Sequence, residues 1–264
     1  MGTTPFRPRL FQAGTLKFEI HDSRQSAGRA AALAAALEMR HQTQNGIDLG
    51  VIFATGASQL SMLHALTTFP DLPWGKIIGF HMDEYQGIRP DHFGSFRRYL
   101  REQLTERVPI KEFHEIDGSS EDPEAVCKAY AARLKAAGPR LCLLGIGENG
   151  HLAFNDPRDA DFNDPREVRL TTLDEQCREQ QVAEGWFPSV EAVPTHAITL
   201  TIPTLFRVPK LILSVPGSRK AAIVRRVIED DISTACPATL LRTHPDSTVF
   251  LDNESSAELA DLLT

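Results

Sequence analysis

Short apolar runs alternate along the chain with longer segments in which apolar residues recur at the spacing of an α-helix. An apolar run of about four to eight residues bounded by turn residues is typical of a buried strand. The runs predict strands at Leu16–Ile20, Leu49–Ala54, Lys76–Met82, Phe113–Ile116, Leu141–Leu144, Val168–Leu173, Ala197–Ile202, Lys210–Val215 and Thr248–Asp252.

The intervening segments predict helices. The first follows the favourable N-caps Asp22 and Ser23 and is rich in alanine to about Gln42. Others are predicted at Gln59–Leu66, Ser95–Leu104, Pro123–Ala137, Asp174–Ala183 and Arg219–Glu229, with a last helix ending near Leu263. This alternation favours an α/β fold, a single doubly wound, mainly parallel sheet of Rossmann-like type with helices on both faces. No repeat, low-complexity tract or linker divides the chain, so residues 1–264 are predicted to form one domain.

The composition describes an ordinary globular protein, with 264 residues, 42% hydrophobic and 24% charged. A net charge of −7 without a basic block argues against nucleic acid or an anionic membrane as a partner. The four scattered cysteines form no metal-binding pattern, and the segment Met1–Leu10 lacks the apolar core of a signal peptide. No apolar stretch reaches the ~18 residues of a membrane span. We therefore expect a cytoplasmic protein without a metal site.

The segment from Gly145 to Pro157 follows a predicted strand and combines three glycines with His151, Asn155 and Asp156. Glycine lets the backbone approach a ligand, and an imidazole moves protons near neutral pH. The glycines also satisfy the dinucleotide pattern G-x-G-x-x-G, which requires a helix at the third glycine. The Asn-Asp-Pro step breaks any such helix, so we expect no nicotinamide or flavin cofactor.

Open α/β sheets bind ligands beyond the carboxyl ends of their strands. Two further loops at such ends, Thr55-Gly56-Ala57-Ser58 and Gly217-Ser218-Arg219-Lys220, combine glycine and hydroxyl groups with the start of a helix. Amide groups and the dipole at a helix start favour an anion, and Lys220 adds a positive charge. Each loop alone is more readily explained as an ordinary N-capped turn. Together, in an acidic protein, they indicate a phosphorylated small molecule.

Asp83 and Glu84 follow the predicted strand Lys76–Met82 directly. Neighbouring side chains on a strand point to opposite faces, so we expect only one of these carboxylates to face the pocket. A carboxylate shielded by apolar neighbours has a raised pKa and can serve as a general base. A solvated acid at the strand end is the alternative for Asp83, and a simple turn residue before Pro157 is the alternative for Asp156.

These loops, in this order, resemble the glucosamine-6-phosphate deaminase/isomerase family, whose fold is shared with 6-phosphogluconolactonases. The resemblance extends from about Leu16 to the last predicted helix. The segment from Phe80 to Tyr85, F-H-M-D-E-Y, is similar to the family's F-x-M-D-E-Y motif. The segment from Gly150 to Pro157, G-H-L-A-F-N-D-P, is similar to its G-H-I-A-F-N-E-P motif. Lactonases typically have Asp-Glu-Arg at the first motif and lack the Phe-Asn step of the second.

The resemblance implies conversion of an aminosugar 6-phosphate to a ketose 6-phosphate and ammonia. In the family, the histidine at position 151 promotes opening of the pyranose ring, and the aspartate at position 83 carries a proton between C2 and C1. The resemblance also makes Asn149 and Asp156 catalytic candidates. The candidate ligand- and phosphate-binding residues are Thr55, Gly56, Ala57, Ser58, Glu84, Gly147, Arg178 and Lys220.

Three residues depart from the family pattern. Many deaminases have aspartate where Asn149 stands, and an amide can orient His151 without stabilising its cation by charge. Asp156 replaces the usual glutamate and is one methylene shorter. A phosphate-binding arginine of the family falls near Gln181, and Arg178, one helical turn earlier, is the candidate substitute. These departures are compatible with the class of reaction and leave the particular hexosamine phosphate open.

Two other functions are consistent with the fold, a lactonase acting on a sugar-acid phosphate and a sugar-phosphate sensor without catalysis. The chain carries no appended DNA-binding module, and Asp83, His151 and Asp156 are all present, which makes the sensor the least favoured. A phosphorylated amino sugar is the expected partner, and the sequence leaves a homo-oligomer open.

Overall fold

A computed structural model of the chain describes residues 7–262. The strands are β1 Arg9–Ala13, β2 Leu16–Ile20, β3 Leu49–Phe53, β4 Ile77–His81, β5 Asp83–Tyr85, β6 Glu112–His114, β7 Leu141–Leu144, β8 Val168–Thr172, β9 His196–Leu200, β10 Lys210–Ser214 and β11 Ser247–Leu251. The α-helices are α1 Arg24–Thr43, α2 Leu60–Thr68, α3 Phe96–Leu100, α4 Pro123–Ala137, α5 Glu175–Ala183, α6 Ile202–Phe206 and α7 Ala221–Glu229.

The central sheet has eight strands in the order β1-β2-β11-β10-β7-β3-β4-β6. Every neighbouring pair in it is parallel except β1 with β2 at one edge. Strands β3 and β7 are buried along their whole length, as expected for parallel strands covered on both faces. The predicted fold class is confirmed.

Helices cover both faces of this sheet, and alternate residues of β7 show how the two layers divide. Leu144 belongs to an apolar cluster with Tyr130 of α4 and Val224 of α7. Leu143 belongs to a second cluster with Met39 of α1 and Leu63 of α2. Because successive side chains of a strand point to opposite faces, one four-residue strand contributes to both cores.

Helix α1 begins as the sequence predicts. Ser23 is its N-cap and accepts a hydrogen bond from the Ser26 amide, while the Ser26 hydroxyl accepts one from the Ser23 amide. The buried face of α1 consists largely of alanines and Gly28. A Cβ at Gly28 would lie 2.4 Å from Oγ and 2.8 Å from the carbonyl carbon of Ser61, so the glycine lets α1 and α2 pack at close range.

A second, three-stranded sheet lies beside the central one, in the order β5-β9-β8 with both pairs antiparallel. The sequence prediction placed Val168–Leu173 and Ala197–Ile202 in the single parallel series, and for these two strands it was wrong. The predicted strand Ala197–Ile202 also ends early, because Ile202 already starts α6 with Pro203 in its first turn. The small sheet matters for function because β5 carries Asp83.

The two ends of the chain differ from the sequence prediction. Strand β1 was not predicted, and it pairs with β2 through a turn at Gly14, where φ is +58°. Within the described residues the last predicted helix is a single 3₁₀ turn at Ala257–Leu259. The predicted end of that helix, near Leu263, lies outside the described residues. The first six residues of the segment Met1–Leu10, for which no signal peptide was predicted, also lie outside them. No helix within residues 7–262 is long and apolar enough to cross a membrane.

Replacing Gly28 by alanine tests the packing of α1 on α2. Alanine favours a helix over glycine by ~1 kcal/mol, but a methyl group forced against the Ser61 backbone introduces overpacking of about 1–3 kcal/mol. We expect Gly28→Ala to lower the free energy of unfolding by about 1 kcal/mol in urea titrations. Gly75→Ala is the control, since no atom lies within 4 Å of its Cβ position. A stabilised Gly28→Ala protein would contradict this account.

Candidate active site

A pocket opens at the carboxyl ends of the central parallel strands. It is lined by the ends of β3, β4 and β7, by the loops that follow them, by part of α5 and by Lys220 after β10. The residues predicted from sequence that line it are Thr55, Gly56, Ser58, Asp83, Gly147, His151 and Lys220. Ala57 lines an adjoining outer pocket that shares Ser58, Glu184 and Lys220 with this inner one.

The loop after β7 brings the His151 imidazole against its own backbone. The Gly147 amide donates to the carbonyl of His151 at 3.0 Å, and the Gly150 amide donates to the carbonyl of Gly147 at 3.0 Å. A Cβ at residue 147 would lie 2.2 Å from the imidazole ring, and Gly150 has a φ of +89°. Gly147 is therefore required by the placement of the ring, and Gly150 by its backbone conformation and by Cys236, whose Sγ would lie 2.7 Å from an added Cβ.

Asp156 fixes the orientation of the imidazole. Its Oδ1 lies 3.0 Å from Nδ1 of His151. Burial alone would raise the pKa of Asp156, but the hydrogen bond and charge of His151, together with hydrogen bonds from Asn149 and the Asp174 amide, hold that pKa below its ordinary value. With an ionised Asp156 beside Nδ1, we expect the proton of the neutral imidazole on Nδ1, which leaves Nε2 available for proton transfer. The shorter side chain of aspartate, whose reach the sequence left open, is long enough for this contact.

Asn149 acts on the imidazole through its neighbours. Its Nδ2 donates to Oδ1 of Asp156 at 3.1 Å and to Oδ2 of Asp174 at 3.2 Å, and its Oδ1 accepts from the His151 amide at 3.0 Å. An aspartate at this position would bring a third carboxylate beside Asp156 and Asp174. The amide supplies a donor to both instead, so Asn149 is a positioning residue in this structure.

Asp83 lies at the start of β5, in the wall of the pocket, and is only 5% exposed. Burial, and after it the charge of Glu84, raise the pKa of Asp83 well above its ordinary value. Its Oδ1 has no hydrogen-bond partner among the described residues. A buried carboxyl group with a raised pKa and an unpaired oxygen is suited to take up and release a proton.

Glu84 points away from the pocket, and its predicted contact with the ligand has no support in the contacts of its carboxylate. Its carboxylate accepts hydrogen bonds from the Ser95 hydroxyl at 2.7 Å, the Phe96 amide at 3.1 Å and the Arg97 amide at 3.0 Å. These amides belong to the first turn of α3, where a carboxylate is favoured by the helix dipole. The alternation of side chains along β5 therefore gives one carboxylate to the pocket and the other to a helix start.

The two anion loops share one geometry. Gly56 and Gly217 have φ values of +99° and +95°, and each precedes a 3₁₀ turn that continues into α2 or α7. Such positive φ values are easily adopted only by glycine. The Ser214 hydroxyl donates to the Ser58 carbonyl at 3.1 Å and ties the first loop to the end of β10. Both helix starts therefore face the same end of the pocket.

Lys220 supplies the positive charge of this end. It is 6% exposed, and within residues 7–262 no hydrogen bond or ion pair holds its Nζ. Burial lowers the pKa of Lys220, while the carboxylates of Glu184 and Glu148 act to raise it. A largely buried lysine beside two helix starts is suited to an anionic ligand.

Arg178 does not line either pocket, which leaves its predicted role as substitute for the phosphate-binding arginine without support. Its guanidinium donates to the carbonyl of Val190. The pocket instead receives Gln180, Gln181 and Glu184 from the carboxyl end of α5 and the residue after it. The position of the family's phosphate-binding arginine falls near Gln181 in the sequence. That position was the signal that this turn of α5 faces the pocket.

Among the described residues, one group of side chains has the spacing to hold a metal ion. It consists of His151, Asp156 and Cys177, whose ligand atoms all lie within 4.8 Å of one another. Metal binding would require the Cys177 thiolate. Burial, and after it the charges of Asp156 and Asp174, raise the pKa of Cys177 well above its ordinary value. The group therefore fits a neutral thiol packed against a His–Asp pair better than a metal centre.

At the carboxyl edge of an open α/β sheet, this pocket combines an imidazole, a buried acid and two helix starts that follow glycines. Such a site is typical of an enzyme that acts on a small anionic substrate. The family model for glucosamine-6-phosphate isomerases and 6-phosphogluconolactonases matches residues 22–250. The chain belongs to this family.

Named relatives and solved structures agree with this assignment. A glucosamine-6-phosphate deaminase of Exiguobacterium sp. is 35% identical over 210 residues, which is 80% of each chain. One of Bacillus thuringiensis is 35% identical over 214 residues, covering 81% of this chain and 79% of its own. The structure of a monomeric glucosamine-6-phosphate deaminase matches with a TM-score of 0.84 and 28% identity, over 91% of this chain and 99% of that one. A 6-phosphogluconolactonase of Trypanosoma brucei, with a TM-score of 0.77 and 19% identity over 95% of this chain and all of its own, shows the shared fold.

The raised pKa of Asp83 predicts a pH-dependent stability. Its neutral form is favoured in the folded state, so its contribution is fully present below the pKa of the unfolded chain and is lost as pH rises through the higher folded pKa. We expect Asp83→Asn to stabilise the protein at pH 8 by about 1–2 kcal/mol and by less at pH 5. Urea unfolding at the two pH values measures the difference. Asp91→Asn, at an exposed ion pair with Arg89, is the control. An equal effect at both pH values would contradict the buried-acid interpretation.

Proposed function

We propose that this protein converts an aminosugar 6-phosphate, glucosamine 6-phosphate in the first instance, to fructose 6-phosphate and ammonia. The observation that carries the proposal is the presence of Asp83, His151 and Lys220 in the wall of one pocket. The relatives from Exiguobacterium sp. and Bacillus thuringiensis and the structural neighbour carry the name of this activity.

In the proposed complex the substrate phosphate lies between the two helix starts, near Ser58 and Lys220, and the sugar extends toward the imidazole. Nε2 of His151 takes the proton of the anomeric hydroxyl and delivers a proton to the ring oxygen, which opens the pyranose. Asp156, ionised and in contact with Nδ1, stabilises the imidazolium that forms during this transfer.

Asp83 then performs the isomerisation. Its carboxylate takes the C2 proton of the open-chain aldehyde while the substrate ammonium group supplies the proton that the C1 oxygen gains, which gives an enolamine. The carboxyl group then returns its proton to C1. The product is a ketimine at C2, and addition of one water releases ammonia and the ketose 6-phosphate. Abstraction from carbon requires a base held against C2 and shielded from solvent, and the 5% exposure of Asp83 supports this role.

A cytoplasmic location is part of the same proposal. All four cysteines are free and buried, which suits a reducing compartment.

The direct test is a substrate screen over hexosamine 6-phosphates with detection of ammonia, run beside a hydrolysis assay on 6-phosphogluconolactone. We expect ammonia and fructose 6-phosphate from glucosamine 6-phosphate and no lactone hydrolysis above background. Hydrolysis of the lactone that depends on His151, without deamination, would replace the proposal by the lactonase function. Ligand-dependent thermal stabilisation without any turnover would identify a sensor.

His151→Gln separates ring opening from the later steps. We expect turnover of glucosamine 6-phosphate to fall by about 10²–10⁴-fold, the usual contribution of a general acid–base group. A 5-deoxy analogue lacks the oxygen that closes the pyranose and bypasses this step, so its turnover should fall far less. Steady-state kinetics on both compounds measures the ratio. Equal losses on the two substrates would refute the role assigned to His151.

Asp83→Asn isolates the proton transfer at carbon. An amide cannot accept the C2 proton, so exchange of that proton with deuterated solvent should fall below detection in proton NMR spectra. Binding of inorganic phosphate, measured by calorimetry, should remain, because Asp83 belongs to neither anion loop and does not line the outer pocket between them. Persistent exchange at C2 in the variant would show that another group is the base.

A further inference from the structure

The carboxylate of Glu184 lies on the loop to which the substrate phosphate is assigned. Its Oε2 is 3.4 Å from the amide nitrogen of Ala57, which donates to it, and 3.6 Å from the position of a Cβ at Gly56. Backbone amides at a glycine-opened helix start are the donors that a phosphate group uses. In the unliganded structure, a side-chain anion of the protein itself therefore occupies one of these donors.

Two further donors hold Glu184 in this position. Nε2 of Gln180 donates to Oε1 at 2.8 Å, and the indole Nε1 of Trp186 donates to Oε2 at 3.2 Å. Each hydrogen bond to an ionised carboxylate is stronger than one between neutral groups. The carboxylate is thus fixed in place by side chains of its own segment, in addition to its contact with Ala57.

Lys220 gives an independent sign that an anion belongs here. It is nine-tenths buried, lines both the inner and the outer pocket, and no described residue holds its Nζ. Glu184 and Ser58 are the other residues common to both pockets. Glu184 therefore lies at the boundary between the part of the pocket with Asp83 and His151 and the outer part between the two helix starts.

A phosphate dianion that used the Ala57 amide would meet the Glu184 carboxylate at hydrogen-bonding range. Like charges at such a distance repel strongly, and the repulsion is larger where solvent is partly excluded. The neighbouring Gln181 lines the same pocket and carries no charge that could offset this repulsion.

We propose that Glu184 is the specificity-determining residue of the anion site: in the free protein its carboxylate takes the place of the substrate phosphate, and it must leave Ala57 before the phosphate binds. This inference rests on the proposed function, since it assigns the phosphate of the aminosugar to the loop at residues 55–58. It sets the affinity of the site for phosphorylated ligands, and it leaves the chemistry at Asp83 and His151 unchanged.

Calorimetric titration with inorganic phosphate tests the proposal without requiring turnover. We expect Glu184→Gln and Glu184→Ala to bind phosphate about tenfold more tightly than the wild-type protein, as loss of one partly screened like charge predicts. Glu179→Gln is the matched control, because Glu179 is an exposed acid of α5, the helix that ends just before Glu184. Its affinity should stay close to that of the wild type. Equal, weaker or undetectable binding in both Glu184 variants would overturn the proposal.

Kinetics give a second measurement of the same effect. In Glu184→Gln the KM for glucosamine 6-phosphate should fall by a similar factor while kcat stays constant, because the residue acts on binding of the phosphate. A raised KM would show that Glu184 assists the ligand. If no hexosamine phosphate is turned over but the calorimetric result holds, the proposed function fails and this inference stands. If a hexosamine phosphate is turned over but the Glu184 variants bind phosphate with unchanged affinity, the proposed function stands and this inference fails.

Trp186 reports the displacement in the wild-type protein. Its indole donates to Glu184, so departure of the carboxylate should change the tryptophan emission as phosphate is added. The change should be absent in Trp186→Phe, where Trp74 is the remaining tryptophan. A constant emission at phosphate concentrations that calorimetry shows to be saturating would contradict the displacement.

Discussion

The site depends on the parallel register of four adjacent strands. Phe53 of β3 pairs with His81 of β4 on one side and with Leu143 of β7 on the other, and Leu143 pairs with Ile212 of β10. The chain leaves all four strands at the same edge of the sheet, within a few residues of this row. Loops that are distant in sequence are thereby brought to one pocket, and a slip of one residue would turn every side chain of a strand to its other face.

Two buried acids in this pocket have opposite environments, and the difference assigns their roles. Burial acts to raise the pKa of both Asp83 and Asp156. Asp156 contacts the imidazole and accepts hydrogen bonds from Asn149 and the Asp174 amide, so it remains ionised and orients His151. Asp83 has Glu84 as its charged neighbour and no partner for Oδ1 among the described residues, so it is the acid suited to exchange a proton.

The sequence carried most of the fold because apolar runs and caps are local signals. Helix α4 and strand β7 have the bounds that were predicted, and Ser23 is the predicted cap of α1. The small antiparallel sheet was missed because β5 has three residues, which is too short for any period to be read. Pairing between such strands is a tertiary property that local spacing does not encode.

The location of the site was predictable from the loops that follow the strands. Which residues line the pocket was less predictable, because that depends on the direction of each side chain. Arg178 was preferred for its charge, but its guanidinium is bound to Val190 and the uncharged Gln181 lines the pocket. Glu184 gave no signal at all, since it lies 127 residues from its partner Ala57. A contact between residues so far apart in sequence follows from the assembled fold, and no short sequence motif contains it.

The most direct test of the central claim is a crystal structure of the Asp83→Asn variant with glucosamine 6-phosphate. The account predicts the phosphate between Ser58 and Lys220, C2 of the sugar against the side chain of residue 83, and Nε2 of His151 facing the ring and anomeric oxygens. A sugar bound with its phosphate toward His151, or in a crevice away from these loops, would contradict it.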